Sequence, residues 1–431
     1  MKSIWQEEVK LPSFDRLEGD ISTEVAIVGG GIAGVLVAYM LKKENVPCVV
    51  LEKERIGQKT TAHTTGKITA QHGLIYDKII RRYGKEFAEG YYLANTYALE
   101  KYREISAEAD CDFEIRDNYV YSTKNRAMLE NEMRALEKIN VPALLYDSID
   151  LPLETKGAVS FKNQAQFHPL KFLSHIARDL EIYEHTHVTK IEDGMLFFDK
   201  GRVKAQKIVV ATHFPIIKGR GLYFLKMYQH RSYVLGLKGA SMALGMYVDE
   251  DKSGLSFRDY KNYLLLGGGG RRTGKKDGGM PALKSIKDEI YPEARVDYSY
   301  AAEDCITLDG MPYIGKYSSK KSEILVATGF NKWGMSGAML SAELLLDGIR
   351  GTKNDFSEIF SPQRRILHPE LLTNIFESTK NLLTPTAPRC THLGCALKWN
   401  KDEHTWECPC HGSRFAEDGR LLEGPANRDL K

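Results

Sequence analysis

The apolar residues near the start of the chain follow the order strand, turn, helix, strand. Residues Glu24–Val28 form a short apolar run, a glycine-rich segment follows, and apolar residues then recur at helical spacing to about Lys43. A second apolar run, Pro47–Leu51, ends at the acidic residue Glu52. This order predicts one βαβ unit with buried strands.

The loop between the first strand and the helix has the spacing GxGxxG. Gly29 permits the tight turn, Gly31 lets the backbone approach a pyrophosphate at the positive end of the helix, and Gly34 lets helix and strand pack closely. Glu52 lies eighteen residues beyond Gly34, where its carboxylate can accept hydrogen bonds from a ribose diol. The unit predicts a dinucleotide site that fits both NAD and FAD. Its other predicted contacts are Ile32, Ala33 and Lys53.

Helical and strand-like patterns alternate through the middle of the chain. Helical spacing extends from about residue 76 to 108 and again from 165 to 180. Strand-like alternation is found at residues 118–122 and, as a strand pair, at 181–212, and strands dominate from 228 to about 300. The middle of the chain is therefore predicted to be mixed α and β structure.

Two features of this region are interpreted as ordinary surface structure. The glycine run Gly267–Gly270 is followed by Arg271 and Arg272, and we expect a flexible, solvated loop there because no helical pattern follows. His185 and His187 alternate along a predicted strand and share a face. No third metal ligand is evident near them, so solvent-facing strand histidines are the favoured interpretation.

A second glycine-bearing junction lies near residue 330. The segment LDGMPYIG, residues 308–315, precedes the strand EILVATGF and a turn into a helix. Gly329, Gly334 and Gly337 bracket this junction. Backbone amides at the start of the helix can therefore point at the polar edge of a ligand.

Two short loops near residue 400 each offer one thiolate and one imidazole. The pairs are Cys390 with His392, in CTHLGC, and Cys408 with His411, in CPCHGS. Two such loops can bind an iron–sulfur cluster or a structural zinc ion. The glycine, proline and serine residues that accompany the ligands favour the cluster.

The composition excludes few classes of protein. The 431 residues are enough for two or three domains, and the net charge of +3, from 60 basic and 57 acidic side chains, gives no reason to expect a nucleic acid partner. Residues 25–41 carry no charge but include four glycines, which favours a nucleotide loop over a transmembrane segment. The first twenty residues lack the apolar core of a secretory signal, so a cytoplasmic location is expected.

Residues 20 to 350 resemble the D-amino-acid-oxidase-like flavoproteins, a family that includes glycine oxidase and sarcosine oxidase. The resemblance rests on the GxGxxG unit, the hydroxyl-rich segment GQKTTAHTTGKITAQHG at residues 57–73, and the segments around residues 310 and 330. It implies FAD as the cofactor, and a Rossmann-type FAD-binding domain with an antiparallel-sheet substrate domain. Some relatives attach FAD covalently through a histidine near His63, although an ordinary polar residue beside a phosphate is the simpler interpretation. The flavin contacts that the resemblance implies are Thr60, Thr61, Ala62, Val188, Thr212, Pro312, Gly329, Gly334, Met335 and Ser336.

The two Cys and His loops resemble the Rieske iron–sulfur signature. The resemblance implies that Cys390 and Cys408 bind one iron of a [2Fe–2S] cluster, that the histidines bind the other, and that Cys395 and Cys410 form a disulfide. Ser413 matches the family serine that donates a hydrogen bond to a bridging sulfide. The residue two beyond it is phenylalanine where high-potential members have tyrosine, so we expect a midpoint potential below that of the quinol-oxidising proteins.

The whole chain resembles bacterial flavin oxidoreductases fused to a carboxy-terminal Rieske domain. The stretch before Cys390 reads as a polar connector and one helix, so the Rieske-type all-β module looks shortened at its front. We expect an FAD-dependent oxidoreductase domain at 1–350, with nucleotide-binding parts at about 20–75, 165–215 and 300–350 and substrate-domain parts at about 76–164 and 216–299, a connector at 351–386, and the Rieske module at 387–431.

The resemblance implies a dehydrogenase that acts on CH–NH bonds. In this family a substrate C–H next to nitrogen gives hydride to the flavin, whereas a two-iron cluster carries one electron at a time. Electrons from a small amine substrate would then pass through the cluster to a one-electron acceptor, either a protein or a quinone. Two alternatives stay open: a reductase fed by another redox protein, and a flavoprotein whose shortened module holds no cluster.

The substrate class follows from one departure from the family. Amino-acid-oxidising members place an arginine shortly before the DGxPxIG motif, where this chain has Glu303 and Asp304 and no arginine. Carboxylates there favour a cationic, polyamine-like substrate. Arg231 and Tyr233, in QHRSYV, are further candidates for substrate contacts.

Overall fold

The computed structural model describes residues 2–217, 221–319, 321–364, 368–385 and 388–430. These residues form three β-sheets and the helices that pack on them. The helices are α1 Ile4–Glu8, α2 Ile32–Lys43, α3 Tyr76–Tyr83, α4 Lys85–Ser106, α5 Arg126–Lys138, α6 Pro169–Ala177, α7 Tyr223–Lys226, α8 Met280–Ile290, α9 Gly334–Arg350 and α10 Pro369–Leu383, with a 3₁₀ turn at Thr60–His63. The strands are β1 Ile21–Val28, β2 Cys48–Leu51, β3 Lys67–Ile68, β4 Glu114–Tyr121, β5 Leu144–Tyr146, β6 Ala158–Gln166, β7 Ile182–Tyr183, β8 Lys190–Glu192, β9 Met195–Phe198, β10 Gly201–Val210, β11 Met227–Lys238, β12 Met246–Asp249, β13 Ser256–Tyr260, β14 Tyr263–Arg272, β15 Arg295–Thr307, β16 Tyr313–Ser318, β17 Lys321–Thr328, β18 Lys398–Asn400, β19 Thr405–Glu407, β20 Arg414–Ala416 and β21 Leu421–Glu423.

The first sheet is a Rossmann-type sheet in the order β16-β17-β10-β1-β2-β7, with β9 and β8 added beside β10. The strands β7, β2, β1, β10 and β17 run parallel, and β16 is antiparallel. Residues Val25–Val28 at the end of β1 are buried, because helices cover the central strands of a parallel sheet. Helix α2 packs against α9, and its residues Val35–Ala38 are completely buried. The βαβ unit predicted at the start of the chain is therefore present.

The predicted close approach of helix and strand occurs at Gly34. A Cβ added there would lie 2.0 Å from the carbonyl oxygen of Gly29. Gly29 has φ +110°, and a Cβ there would lie 2.6 Å from the carbonyl oxygen of Ala211. Only glycine fits at both positions, so the GxGxxG spacing is enforced by packing as well as by any ligand.

The second sheet is almost entirely antiparallel, in the order β15-β11-β14-β13-β12-β4-β6-β3, with β5 beside β6. Its only parallel pair among the described strands is β12 with β4. The expectation of a flexible loop at Gly267–Gly270 is wrong, since these residues lie in the buried strand β14 between β11 and β13. Arg271, expected to be solvated, is buried in the same strand. The glycines fit there because bulky neighbours fill the space that their side chains would take.

Two predicted elements end earlier than the sequence pattern suggests. The single helix expected from residue 76 to 108 is two helices, α3 and α4, because Gly84 has φ +96° and ends the first. The strand expected through His185 and His187 stops at Tyr183, and His185 takes a left-handed conformation with φ +51°. His185 is exposed, whereas His187 is half-buried.

The third sheet is a small antiparallel meander, β18-β19-β20-β21, that follows α10. An isolated bridge between Arg389 and Ala396 closes the first cluster loop in front of it. Its core contains Cys390, Cys395, Cys408 and other residues that the two loops supply. The predicted boundary between connector and module, at residues 386 and 387, lies outside the described residues.

We expect Gly34→Ala to destabilise the nucleotide unit, because the new methyl group meets the Gly29 carbonyl. Overpacking of this kind lowers the free energy of unfolding by about 1–3 kcal/mol, and bound flavin should fall with it. Gly348→Ala in α9 is the matched control, since nothing lies within 4 Å of the new Cβ. It should stabilise the helix by roughly 0.5–1 kcal/mol. Thermal unfolding and flavin content are measured for both variants. Equal stability and equal flavin content in the two variants would contradict the packing argument.

Candidate functional site

A cavity of about 530 Å³ lies at the carboxyl ends of the parallel strands. One wall is formed by Val28, Leu51 and Ala327, which lie at or next to the carboxyl ends of β1, β2 and β17. The start of α9 and the antiparallel sheet form further walls. Ligands of open α/β folds bind at this edge of the sheet, so the cavity is the predicted flavin site.

The start of α2 lines the cavity, and hydrogen bonds within the chain fix its glycine loop. Gly31 precedes the first turn with φ −75° and ψ 176°, and its neighbour Ile32 donates its amide to Thr61 Oγ1 over 3.0 Å. The amide of Gly30 donates to Glu52 Oε2 over 2.6 Å. Burial raises the pKa of Glu52. The acid predicted to hold the ribose therefore closes the glycine loop as well as lining the cavity.

Most of the predicted flavin contacts line the cavity. Five do not: Gly34 and Ala62 are buried in the packing behind it, Ser336 exchanges hydrogen bonds with Thr69, and Pro312 and Gly329 lie away from the wall. The predicted contacts that do line it are Gly29, Gly31, Ile32, Ala33, Glu52, Lys53, Thr60, Thr61, Val188, Thr212, Gly334 and Met335.

Histidines form part of the wall. His63 is held neutral, because burial lowers its pKa to about 4. His72, which the sequence did not single out, stacks on Trp333 with ring centroids 4.9 Å apart and is hydrogen bonded to Tyr91. His187, which is half-buried and lies beyond the end of β7, also lines the cavity.

Three of the four predicted substrate contacts line the cavity. Tyr233, Glu303 and Asp304 form part of its wall, and Arg231 does not. Burial raises the pKa of Asp304 to about 6, and the nearby ammonium group of Lys332 opposes that shift. Asp304 is therefore an ionised carboxylate at neutral pH that faces the cavity.

Arg231 binds carboxylates from two parts of the chain. Its Nε lies 2.9 Å from both oxygens of Glu403, in the third sheet's module, and Nη1 lies 3.1 Å from Glu303 Oε2 and 3.4 Å from Glu423 Oε2. The hydroxyl of Tyr233 donates to Glu403 over 2.6 Å. The side chain of Arg231 is only 8% exposed. This arginine joins the two modules and leaves no donor face toward the cavity.

The surrounding charges form one buried network of three arginines and four glutamates. Arg414 donates to Glu403 over 2.8 Å and to Glu423 over 3.0 Å, and Arg271 lies 3.8 Å from Glu403 and Glu407. The carboxylates outnumber the guanidinium groups by one. Burial and the neighbouring Glu423 accordingly raise the pKa of Glu303 to about 8.

The two cluster loops are the same turn repeated. In the first, the Gly394 amide donates to the carbonyl of Cys390 over 2.9 Å, and in the second Gly412 donates to Cys408 over 2.9 Å. Both glycines have positive φ, +80° and +87°, which other residues adopt rarely. The spacing of each motif therefore forms a turn that presents its cysteine and histidine together.

The side chains of both loops converge at one point. The Sγ atoms of Cys395, Cys408 and Cys410 and a ring nitrogen of His411 lie within 4.8 Å of one another. The rings of His392 and His411 are nearly perpendicular with centroids 4.9 Å apart. Hydrogen bonds from neighbouring thiols, that of Cys390 first, lower the pKa of Cys408 toward the thiolate that binds metal.

The donor set fits a cluster with mixed thiolate and imidazole ligation. Both ring nitrogens of His411 are buried and make no hydrogen bond among the described residues, which is costly unless a metal is bound there. Ser413 Oγ accepts from the Ala426 amide over 2.9 Å, so its own O–H can still donate. Cys395 and Cys410 are free thiols in this structure, and their disulfide stays a prediction.

The Rieske module forms one wall of the flavin cavity. Sequence patterns could not have revealed this contact between the two modules. Residues 421–427 all line it. Gln229 Nε2 donates to the carbonyl of Gly424 over 2.9 Å, and Lys59 Nζ donates to that of Leu422 over 3.3 Å. The two modules therefore share the site.

Comparison with known proteins is consistent with this architecture. Residues 24–347 match the model of the "FAD dependent oxidoreductase" family, and residues 367–431 match that of the "Rieske [2Fe-2S] domain". The chain belongs to the FAD dependent oxidoreductase family and carries a Rieske domain at its carboxyl end. The Rieske match includes α10, which lies within the predicted connector.

One relative matches the whole chain, and other proteins match one part of it. The chain is 33% identical over 493 aligned residues to YhfW of Bacillus subtilis (strain 168), described as a Rieske 2Fe-2S iron-sulfur protein, and the match covers 100% of this chain and 97% of YhfW. It is 52% identical over 42 residues to the cytochrome b6-f complex iron-sulfur subunit of Synechococcus sp. (strain JA-3-3Ab), covering 10% of this chain and 24% of that subunit. Glycine oxidase from Geobacillus kaustophilus aligns with a TM-score of 0.66 at 19% identity, over 80% of this chain and 99% of the oxidase. That likeness shows the fold alone.

The cofactors are FAD and a Rieske [2Fe–2S] cluster. The cavity and the glycine loop suit the first, and the Cys and His loops suit the second. A Rossmann-type FAD domain, an antiparallel sheet and a small all-β module confirm the predicted fold class. Among the described helices, none has the length and apolar character needed to cross a membrane.

Cysteine substitutions separate cluster ligands from the predicted disulfide. Cys390→Ser should abolish bound iron and the EPR signal of the cluster, because it removes a thiolate ligand. The double variant Cys395→Ser, Cys410→Ser should keep both and lose about 2–4 kcal/mol of stability through loss of the cross-link. Iron content, EPR and thermal unfolding of protein purified without oxygen measure these outcomes. Loss of the cluster in the double variant would overturn the ligand assignment.

Stability should depend on pH through Glu303. Its folded pKa of about 8 lies above the ordinary value of 4.5, so its contribution to stability is complete below pH 4.5 and is lost as pH rises through 8. Glu303→Gln mimics the protonated acid and should remove this loss. The melting temperature of the wild type should therefore fall relative to the variant between pH 5 and 8. Glu293→Gln, at an exposed position, is the control, and parallel curves for all three proteins would refute the assignment.

Proposed function

We propose that this protein is an FAD-dependent dehydrogenase that oxidises a small cationic amine and passes the electrons through its own Rieske cluster to an external one-electron acceptor. The observation that carries the proposal is the shared wall of the cavity, where residues 421–427 of the Rieske module lie against the flavin-binding residues. A hydride acceptor and a one-electron carrier in adjoining sites suit a two-electron donor paired with one-electron acceptors. The acceptor is proposed to be a redox protein or a quinone.

The charges of the cavity favour an amine over a carboxylate substrate. Arg231, which could have held a carboxylate, is occupied by Glu303, Glu403 and Glu423. Arg55, the arginine that lines the cavity among the described residues, pairs with Glu184. Asp304 lines the cavity near Lys332, and its carboxylate is the group proposed to attract a substrate ammonium.

The chain's own residues orient and shield the reacting amine. FAD, when bound, supplies the hydride acceptor. Asp304 would hold the amine on the sheet side, while residues 421–427 of the Rieske module line the cavity and would limit the access of water. Each ammonium group loses one hydride and one proton to give an iminium ion, and two molecules of a one-electron acceptor are reduced.

The fold of the structural neighbours suits this chemistry. Solved structures of similar fold include L-proline dehydrogenase from P. horikoshii, at a TM-score of 0.65 and 17% identity over 81% of this chain and 98% of that one. By their names, that enzyme and glycine oxidase act on amino acids. The test must therefore compare amines with amino acids.

The decisive experiment records visible and EPR spectra of protein purified without oxygen, before and after a panel of polyamines, simple amines and amino acids. Flavin bleaching together with a rhombic cluster signal supports the proposal. Bleaching without a cluster signal would favour a flavoprotein with a non-functional module. A response only to a reduced protein donor would favour a reductase. Equal efficiency with a simple amino acid would refute the amine assignment.

Asp304→Asn tests the role of the cavity carboxylate. Removing one charge-assisted contact, worth about 1.5–3 kcal/mol, should raise the KM for a cationic amine at least about tenfold. The kcat should change less, and iron and flavin content should not change. Asp402→Asn, at an exposed position in the Rieske module, is the control. Equal KM values for wild type and Asp304→Asn would contradict the proposed contact.

A further inference from the structure

Phe214 lies between the flavin cavity and the cluster loops. It is only 3% exposed, and it belongs to the wall of the cavity. Its ring also meets His392 edge-on, with centroids 6.3 Å apart and planes at 75°. One side chain therefore contacts both the flavin site and a proposed ligand of the cluster.

The backbone that presents Phe214 is held in an uncommon conformation. The preceding residue, His213, has φ +63°, a strained value for a residue other than glycine. Its carbonyl accepts hydrogen bonds from Thr328 Oγ1 and Cys305 Sγ, and Thr212 Oγ1 donates to the carbonyl of Phe214 over 2.9 Å. Three hydrogen bonds from the FAD domain therefore fix this turn. Backbone strain that is retained at a position next to two sites indicates a functional role.

The histidine side of the cluster site faces the FAD domain. Phe224 packs edge-on against His411 with centroids 5.9 Å apart. Gly412, beside that histidine, packs so closely on Gln229 that an added Cβ would lie 2.4 Å from the glutamine Cβ. The Arg231 network holds the module in this position. The iron with histidine ligands would therefore lie toward the flavin, not toward solvent.

We infer that Phe214 is a positioning residue for electron transfer, which holds His392 against the flavin cavity so that electrons pass within the docked chain without movement of the Rieske module. This inference rests on the proposed pairing of flavin and cluster. A Rieske cluster takes one electron at a time, so the two electrons of a reduced flavin cross this contact in two successive steps. Phe224 contacts His411 but does not line the cavity. It therefore does not connect the cluster site to the flavin site.

The test uses the holoprotein and needs no amine. The flavin is reduced by light with deazaflavin and EDTA in the absence of oxygen, and the rate of cluster reduction is followed by absorbance and freeze-quench EPR. Phe214→Leu keeps most of the side-chain volume but removes the ring. We expect this variant to slow the transfer on the order of tenfold or more, because small losses of positioning have large kinetic effects. Phe214→Tyr should restore the wild-type rate.

The controls distinguish transfer from folding. Iron content, EPR g-values and melting temperature should be unchanged in Phe214→Leu, and Phe224→Leu should transfer at the wild-type rate. A wild-type rate in Phe214→Leu, equal slowing in both leucine variants, or no cluster reduction in the wild type would overturn the inference. Since the reduction is driven by light, a failure to oxidise any amine would count against the proposed substrate and leave this result standing.

Discussion

The guanidinium group of Arg231 holds the Rieske module against the FAD domain. It projects from the antiparallel sheet into carboxylates of both modules, and it is almost fully buried. Removing one partner of a buried ion pair typically costs about 3–5 kcal/mol, so loss of the Arg231 side chain would destabilise the docked arrangement. Because the charges satisfy one another only in the docked arrangement, the position of the Rieske loops depends on this contact.

The docked arrangement explains why the cavity has an unusual wall. The last strand of the meander, β21, and the residues that follow it, 421–427 together, line the flavin cavity. Ala426 in this segment donates its amide to Ser413, the serine matched to the one that bonds a bridging sulfide. Residues 421–427 therefore contact both the flavin cavity and the second cluster loop.

Sequence patterns anticipated the parts of the site that local geometry governs. Gly34 is required by the Gly29 carbonyl within one βαβ unit, and the spacing of Cys408 and Gly412 is required within one turn. The sequence patterns failed where contacts with distant segments determine the local structure. The run beginning at Gly267 reads as a loop because glycine is rare in strands, yet neighbouring strands and bulky side chains bury it in β14.

By itself the sequence determined the βαβ unit and the turns of the two Cys and His loops, because each depends on residues close together in the chain. The two cofactors were indicated by the family resemblances of longer segments. Only the tertiary structure decided that Arg231 serves docking and not the substrate, that His72 and His187 line the cavity, and that Phe214 separates the two redox sites. The reason is physical: the partners of these side chains lie tens to hundreds of residues away, and no local pattern records which carboxylate or ring will meet them.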